Sequence, residues 1–299
     1  MNLLILGGTG FIGSKLTRNL LGQGYHIRIM DRTIKPMDIN SLKLELIEAD
    51  YTKVQDFKPF LQDIDIVFHF ISTTVPATSN IDKIFDINTN VCSTLRLLED
   101  MRQTNVKKII FLSSGGTIYG HSNMDAIPEE HPTNPICSYG IQKLTIEKYL
   151  YYYYHEYGID YQIIRLSNPY GKGQNGKNGQ GAIPIFIRKI SQNEEIQIWG
   201  DGLTTRDYIY IDDVVHALSL LPQYNGRHKI LNLGSGQGST LIDIIKVISD
   251  ELNKTPKIKF LDPRSIDVKT NVLDITKFTY ALHWKPEISL RDGIKLMLE

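Results

Sequence analysis

With 299 residues, 41% of them hydrophobic, the chain has enough material to bury the core of one large or two modest domains. Its 33 basic and 33 acidic side chains cancel, so no net field draws it toward nucleic acid or an anionic membrane. No apolar run reaches the ~18–20 residues of a membrane span, no signal peptide precedes the first strand, and Cys92 and Cys137 stand outside any C-x-x-C, so the expectation is a reducing, cytoplasmic protein.

The first expected strand, Leu3–Leu6, runs straight into Gly7-Gly8-Thr9-Gly10-Phe11-Ile12-Gly13. Gly7, Gly10 and Gly13 have G-x-x-G-x-x-G spacing, and an apolar helical stretch, Gly13–Leu21, follows. Strand, glycine turn and helix bring the pyrophosphate of a dinucleotide onto the positive end of the helix. Gly7 allows the tight turn, Gly10 lets backbone approach the phosphates, and Gly13 lets the helix pack close to the strand. A second strand, His26–Met30, ends in Asp31, where a carboxylate would bind ribose hydroxyls.

Further strands are expected at Leu44–Glu48, Ile64–Phe70, Lys108–Ser113 and Tyr161–Leu166, alternating with helices at Gln55–Leu61, Ile84–Thr104 and Tyr139–Tyr157. That alternation is the βαβ rhythm. Past Leu166 it breaks. Gly171–Gly181 reads as a loop, followed by a helix (Ile183–Ser191), a strand (Glu195–Trp199), a helix capped by Asp212-Asp213, a strand (Lys229–Leu233) and a helix, Leu241–Leu252, capped by Ser239-Thr240. The fold class is therefore α/β, a doubly wound parallel sheet of Rossmann type over residues 1–166 with a return segment near 203–235. A smaller α/β C-terminal lobe, mainly residues 167–299, would bind the substrate over the carboxyl ends of the strands.

Tyr139 and Lys143, four apart at the start of a helix, share a face. An ammonium beside a phenol favours phenolate, lowering a pKa normally near ~10, so the pair makes a general base for an alcohol that loses hydride to a nicotinamide. The strand before it ends in Ser113-Ser114-Gly115-Gly116-Thr117. Other patterns carry less. Gly171-x-x-x-x-Gly176-Lys177 is followed by Asn178 where a P-loop needs Ser or Thr for magnesium. The eight histidines form no H-E-x-x-H, so no catalytic metal is expected. His69 reads as packed in a core strand, and Tyr151–Tyr154 as helix packing or an oligomer contact.

On these residues the chain resembles the extended short-chain dehydrogenase/reductases, and among them the nucleotide-sugar epimerases of the UDP-glucose 4-epimerase type. The resemblance covers essentially the whole chain. It rests on Gly7–Gly13, Asp31, Asn90-Val91-x-x-Thr94, Ser113–Gly120, Tyr139-x-x-x-Lys143, Arg165–Gly171, Gly200–Asp213 and Leu282-x-Trp284-x-Pro286. It implies NAD as cofactor, with Gly7, Gly10, Phe11, Ile12 and Gly13 around the pyrophosphate and Asp31 and Arg32 on the adenosine ribose. Asp50 and Tyr51 would lie near adenine, Phe70, Ile71 and Ser72 beneath the cofactor, and Asn90, Tyr139 and Lys143 would face it. On the substrate side it implies Thr117 and Tyr139 at the sugar 4-hydroxyl and Asn168, Arg206 and Arg264 on the diphosphate. Gln197 and Trp199 would flank the base, and Asp267 would take the nucleotide ribose.

Gly115 stands where many relatives carry the triad serine, so the hydroxyl comes from Thr117 or Ser114, with Thr117 favoured. Related dehydratases and decarboxylases carry glutamate at the Thr117 position; threonine cannot make their second proton transfer. The expected reaction is thus C4 epimerisation of a UDP-hexose, with a nucleotide-sugar reductase or dehydratase, an epimerase on another nucleotide sugar or a non-catalytic NAD-sensing regulator as alternatives. The Asp31 carboxylate would repel a 2′-phosphate and favour NAD over NADP, while Arg32 could accept one. Relatives place a size gate four residues after the substrate-binding aspartate. Here it is Asn271, smaller than the tyrosine that confines some of them to plain hexoses, so UDP-GlcNAc and UDP-GalNAc are expected substrates beside UDP-glucose and UDP-galactose. The resemblance also implies a homodimer through the helices Ile84–Thr104 and Tyr139–Tyr157.

Overall fold

The computed structural model describes residues 1–174, 181–263 and 268–299. The unbroken apolar run at the start of the chain forms β1 (Asn2–Leu6), whose residues 3–6 have no exposure. Continuous rather than alternating burial marks a strand covered on both faces. After α1 (Phe11–Gly22) come β2 (His26–Asp31), β3 (Leu44–Glu48), α2 (Lys58–Leu61) and β4 (Ile66–His69). Next follow α3 (Lys83–Asp86), a π-helical segment Ile87–Cys92, α4 (Ser93–Met101), β5 (Lys108–Ser114), α5 (Ser138–Tyr157) and β6 (Asp160–Leu166). Then come β7 (Asn168–Tyr170), α6 (Ala182–Ser191), β8 (Glu195–Trp199), β9 (Thr205–Tyr210), α7 (Ile211–Ser219) and β10 (Ile230–Leu233). The chain ends with β11 (Gly238–Thr240), α8 (Leu241–Leu252), β12 (Lys257–Leu261), β13 (Thr270–Asn271) and helices α9 (Thr276–Leu282) and α10 (Leu290–Leu298).

One seven-stranded sheet runs in the order β10-β6-β5-β4-β1-β2-β3. β1 lies parallel to β2 and β4, β2 to β3, and β4 to β5. This is the doubly wound Rossmann arrangement, with the order reversing beside β1, where such sheets bind ligands. The residues fall into two compact units: Met1–Ile118, Thr133–Arg165 and Val215–Leu231 in one, and Tyr119–Pro132, Leu166–Val214 and Asn232–Glu299 in the other.

In the first unit Leu4, Leu6, Val67, Ile109 and Phe111 from the strands pack with Leu97, Ile146 and Leu150 from the helices. The helix expected over residues 84–104 is three pieces: an α turn, a π segment and α4. Side chains account for the widening, since Thr89 and Thr94 hydroxyls donate to the carbonyls of Phe85 and Asn90, competing with the regular ladder. Among the described residues no helix is long and apolar enough to cross a membrane.

The second unit is organised around β9, which pairs with β7, β11 and β13. β8 and β12 form a separate parallel pair. Four of these short strands (β7, β11, β12 and β13) and β9 itself are too brief or irregular to show a clean period of two in the sequence. α8 does begin as its residues suggest: Thr240 and Asp243 exchange backbone and side-chain hydrogen bonds as a capping box. Asp213, expected as a cap of α7, instead accepts the amides of Glu287 (3.1 Å) and Ile288 (3.0 Å). Two backbone donors just after Pro286 give the carboxylate more than its own helix end offers.

Candidate active site

At the end of β1 the chain turns through Gly7 at φ +85°, a left-handed conformation suited to glycine. Gly10 is the N-cap of α1 and brings no side-chain cap. The amides of Phe11, Ile12 and Gly13 are therefore the orphan donors of the first helical turn, which bind an anion well. Beside them lies a hollow of about 290 Å³ bordered by Gly7 and Gly10, by Asp31, Arg32 and Lys35 after β2, by residues 50–52, and by residues 70–73 after β4. Nine residues expected at a cofactor thus converge on one hollow, and Lys35, Thr52 and Thr73 join them.

The Asp31 carboxylate accepts from the Thr9 amide (3.2 Å) and hydroxyl (2.7 Å), and from the Arg32 amide (2.9 Å). It is thereby fixed at the end of β2, the place for a ribose-binding acid. Asp50 accepts from Thr52, and burial is outweighed there by that bond and by nearby cations, which hold its carboxyl below the ordinary range. Tyr51 borders the hollow, but its hydroxyl is turned inward onto His69 (2.9 Å) and Thr94 (3.1 Å). His69 is 1% exposed, and burial pushes its imidazole down to about 3, so it stays neutral and structural. An uncapped helix start, a glycine turn and a fixed carboxylate together fit a dinucleotide.

Asn90, expected to face the cofactor, is 3% exposed. Its amide donates to the Thr73 hydroxyl (2.7 Å) and the Asp86 carbonyl (2.9 Å) and accepts from the Thr73 amide (3.0 Å). The side chain thus builds the wall of the hollow from behind, and the π turn supplies the reach.

Tyr139 and Lys143 lie on the first turns of α5. Gly140 lets the 114–117 turn approach, since a Cβ there would stand 2.7 Å from the Thr117 carbonyl oxygen. The Thr117 hydroxyl is buried without a hydrogen-bond partner among the described residues, a donor held ready for a ligand. Burial pushes the Tyr139 phenol up to about 12, against a hydrogen bond with Ser72. Burial pushes the Lys143 ammonium down to about 7, against the charges of Glu147 and Asp86. Lys143 Nζ donates to the Leu112 carbonyl (2.9 Å) and sits 5.7 Å from the centre of the Tyr139 ring. Glu147, one turn on, is bound by Arg165 of β6 at 2.7 Å with both side chains buried. Phenol plus amine and phenolate plus ammonium contain the same number of protons. The pair can therefore reach its working form by passing one proton from Tyr139 to Lys143.

In the second unit Asn168 on β7 donates to the Asp207 carbonyl (2.8 Å). Arg206 on β9 stands in register with Asn271 on β13, and Asn271 is 1% exposed. Gln197 and Trp199 share the exposed face of β8. Trp199 borders a hollow of about 740 Å³ with Leu203, Phe260 and Pro263. Leu203, between β8 and β9, and Phe260, on β12, are about half exposed and were missed in the sequence, where a lone apolar residue outside a motif gives no signal. Arg264 and Asp267 lie outside the described residues. Among the described residues no group of three or more His, Cys, Asp or Glu side chains could hold a metal ion.

Comparison with known proteins gives matches to a family model, to curated relatives and to a solved structure. The model of the NAD dependent epimerase/dehydratase family matches residues 3–234. A dTDP-4-dehydro-6-deoxyglucose reductase of Escherichia coli is 35% identical over 99% of this chain and 96% of its own, and a UDP-glucose 4-epimerase of Mycolicibacterium smegmatis is 30% identical over 100% and 98%. The crystal structure of a UDP-glucose 4-epimerase with UDP-glucose from Thermotoga maritima superposes with a TM-score of 0.93 at 33% identity, covering 100% of this chain and 97% of that one.

Proposed function

The chain belongs to the NAD dependent epimerase/dehydratase family, and we propose that it inverts C4 of a UDP-hexose through a 4-keto intermediate. Bound NAD supplies the hydride acceptor, the donor for the return and, when oxidised, a positive charge that favours the Tyr139 phenolate. Tyr139 takes the proton of the 4-hydroxyl and later gives it back, Lys143 holds the balancing charge, and Thr117 orients the hydroxyl. Asn168, Arg206 and Arg264 would grip the diphosphate, with guanidinium forks suited to it. Gln197 and Trp199 would hold the base and Asp267 the ribose, so that the keto sugar can turn over while its nucleotide stays fixed.

The observation that carries this reading is that the 113–120 stretch (SSGGTIYG) offers hydroxyls and no carboxylate, with threonine at position 117. An elimination needs a second acid or base acting on another carbon; hydride return does not. A reductase is the second reading, favoured by the similarity to the dTDP-4-dehydro-6-deoxyglucose reductase.

Incubating the purified protein with UDP-glucose, UDP-galactose and their N-acetylamino counterparts, without added cofactor, separates the two. Interconversion of C4 epimers with no net change in nicotinamide absorbance is expected; no interconversion of either pair, with NADH consumed stoichiometrically when it is supplied together with a nucleotide-bound 4-keto-6-deoxyhexose, would overturn it. Both sugar pairs should react, because Asn271 leaves more room than tyrosine. Asn271→Tyr should lower kcat/KM for the N-acetylated pair by about tenfold more than for the plain pair. Retained activity on the plain pair shows that the variant folds, and equal losses would remove the gate.

A homodimer is part of the proposal. α5 exposes Ile141, Tyr149, Tyr151 and Tyr152, while the α3 and π region exposes Ile84, Phe85 and Ile87, each at least 37% open. Exposed apolar and aromatic side chains gathered on two helical elements mark a surface that something covers. A second copy, pairing these helices into a four-helix bundle, is expected. Sedimentation at micromolar concentration should give twice the 34.1 kDa chain mass; a monomer would count against it.

A further inference from the structure

Asp86 has no exposure, and the reaction proposed above makes no use of it. It ends α3, where the helix widens into the π segment. Its Oδ1 accepts from the Thr74 hydroxyl (2.5 Å) and the Asn90 amide (3.1 Å), and its Oδ2 accepts from the Ser138 hydroxyl (2.7 Å). With donors on both oxygens the group acts as an acceptor only, as an ionised carboxylate does. These donors come from the loop after β4, the π segment and the first residue of α5. The same seam holds the start of α5 by two more bonds. The Ser138 amide donates to Asn80 Oδ1 and the Tyr139 amide to Ser79 Oγ, both at 3.0 Å.

We infer that Asp86 is a positioning residue for the transfer step, pinning the start of α5 to the wall of the cofactor hollow and placing a fixed negative charge beside Tyr139 and Lys143. The inference rests on the Tyr139–Lys143 chemistry proposed above. Its charge favours the protonated form of both groups. Facing Tyr139 besides Asp86 are the Ser72 hydroxyl and the Cys137 thiol. Facing Lys143 are Glu147, already bound by Arg165, and the neutral His69 of β4. Asp86 is thus the one negative charge felt by both members of the pair that has no cationic side chain of its own bound to it among the described residues.

The test is the pH dependence of kcat in Asp86→Asn, which keeps the shape and removes the charge. The rising limb reports loss of the pair's first proton and the falling limb loss of its second. A negative neighbour raises both, so its removal should move both limbs to lower pH by about one pH unit. kcat should fall about tenfold while KM for the UDP-sugar stays within about threefold, since only orientation of the reacting pair is lost. Limbs that stay in place, with or without loss of kcat, would mean a packing role and overturn the inference.

If Asp86→Asn does not fold, Ser138→Ala decides. It keeps the charge and removes one tether, so kcat should fall about fivefold with unmoved limbs, and wild-type kcat would overturn the positioning. A wild type inactive on every UDP-sugar would overturn the epimerase reading alone. The same downward shift would then be read from the phenolate absorbance of the NAD complex, taken as the difference from Tyr139→Phe, and an unmoved onset would overturn the role of Asp86.

Discussion

Tyr139→Phe should fold, retain NAD and lose turnover by about a thousandfold or more, the upper range of what a positioned acid and base contributes. The substitution removes one oxygen. That oxygen's bond within the protein is with Ser72, and the Ser72 hydroxyl also donates to the Thr74 carbonyl at 3.0 Å, so the loop after β4 keeps an anchor. The ring, its packing against Lys143 and the tether of the Tyr139 amide to Ser79 all remain. What disappears is the acceptor for the 4-hydroxyl proton. Without it, hydride could leave C4 only as the proton passes to water or to a serine or threonine hydroxyl, each a far weaker base than phenolate. The loss should appear in kcat, with KM changed little, because nucleotide contacts supply most of the binding. Turnover within tenfold of wild type would sink the mechanism.

The sequence made the cofactor half legible because its cues are local. Residues 3–13 carry strand, turn and helix in one stretch, and Asp31 falls at a fixed distance along the chain. Each glycine there answers a steric demand of backbone geometry, which does not depend on distant packing. That Tyr139 and Lys143 share a helix face was equally legible, since their spacing alone dictates it and one helix, α5, carries both. Asp86 was not, because an acid between Phe85 and Ile87 looks like any surface residue. Its importance arises from Thr74, Asn90 and Ser138, brought together from 12, 4 and 52 residues away along the chain. The π widening that lets Asn90 reach Thr73 was hidden for the same reason, as the apolar pattern over residues 84–104 fits a plain α-helix. In the second unit β9 is central because β7, β11 and β13 all pair with it, and such pairing is invisible to a reading of short windows. Asp213 shows how a local rule fails: the cap position was correct for an acid at a helix start, but the amides of Glu287 and Ile288, far along the chain, compete for it and win.

Gly13→Ala should cost about a hundredfold in NAD affinity, or about 2.7 kcal/mol, and destabilise the fold by about 1–3 kcal/mol. A Cβ built on Gly13 would lie 2.2 Å from the Gly7 carbonyl oxygen and 2.8 Å from Gly8 Cα. Both obstacles are backbone, so no rotamer change can relieve them. The Gly7 carbonyl is moreover held in place as acceptor of the Gly10 amide at 3.1 Å, and Gly7 itself donates to Met30 of β2 at 2.9 Å. Either the turn opens or α1 moves away from it. Both outcomes carry the Phe11 and Ile12 amides off the line on which they would meet a pyrophosphate, and helix-end donors lose their effect within a turn's length. Gly22→Ala at the other end of the same helix is the control: a Cβ there meets nothing within 4 Å, and alanine is the better helix former by about 1 kcal/mol. NAD titration by calorimetry and urea unfolding of both variants give the comparison. Gly22→Ala should bind NAD as wild type does and unfold no earlier. Wild-type affinity in Gly13→Ala would mean that the cofactor does not depend on close approach of α1 to the glycine turn, and the cradle built on residues 7–13 would have to be abandoned.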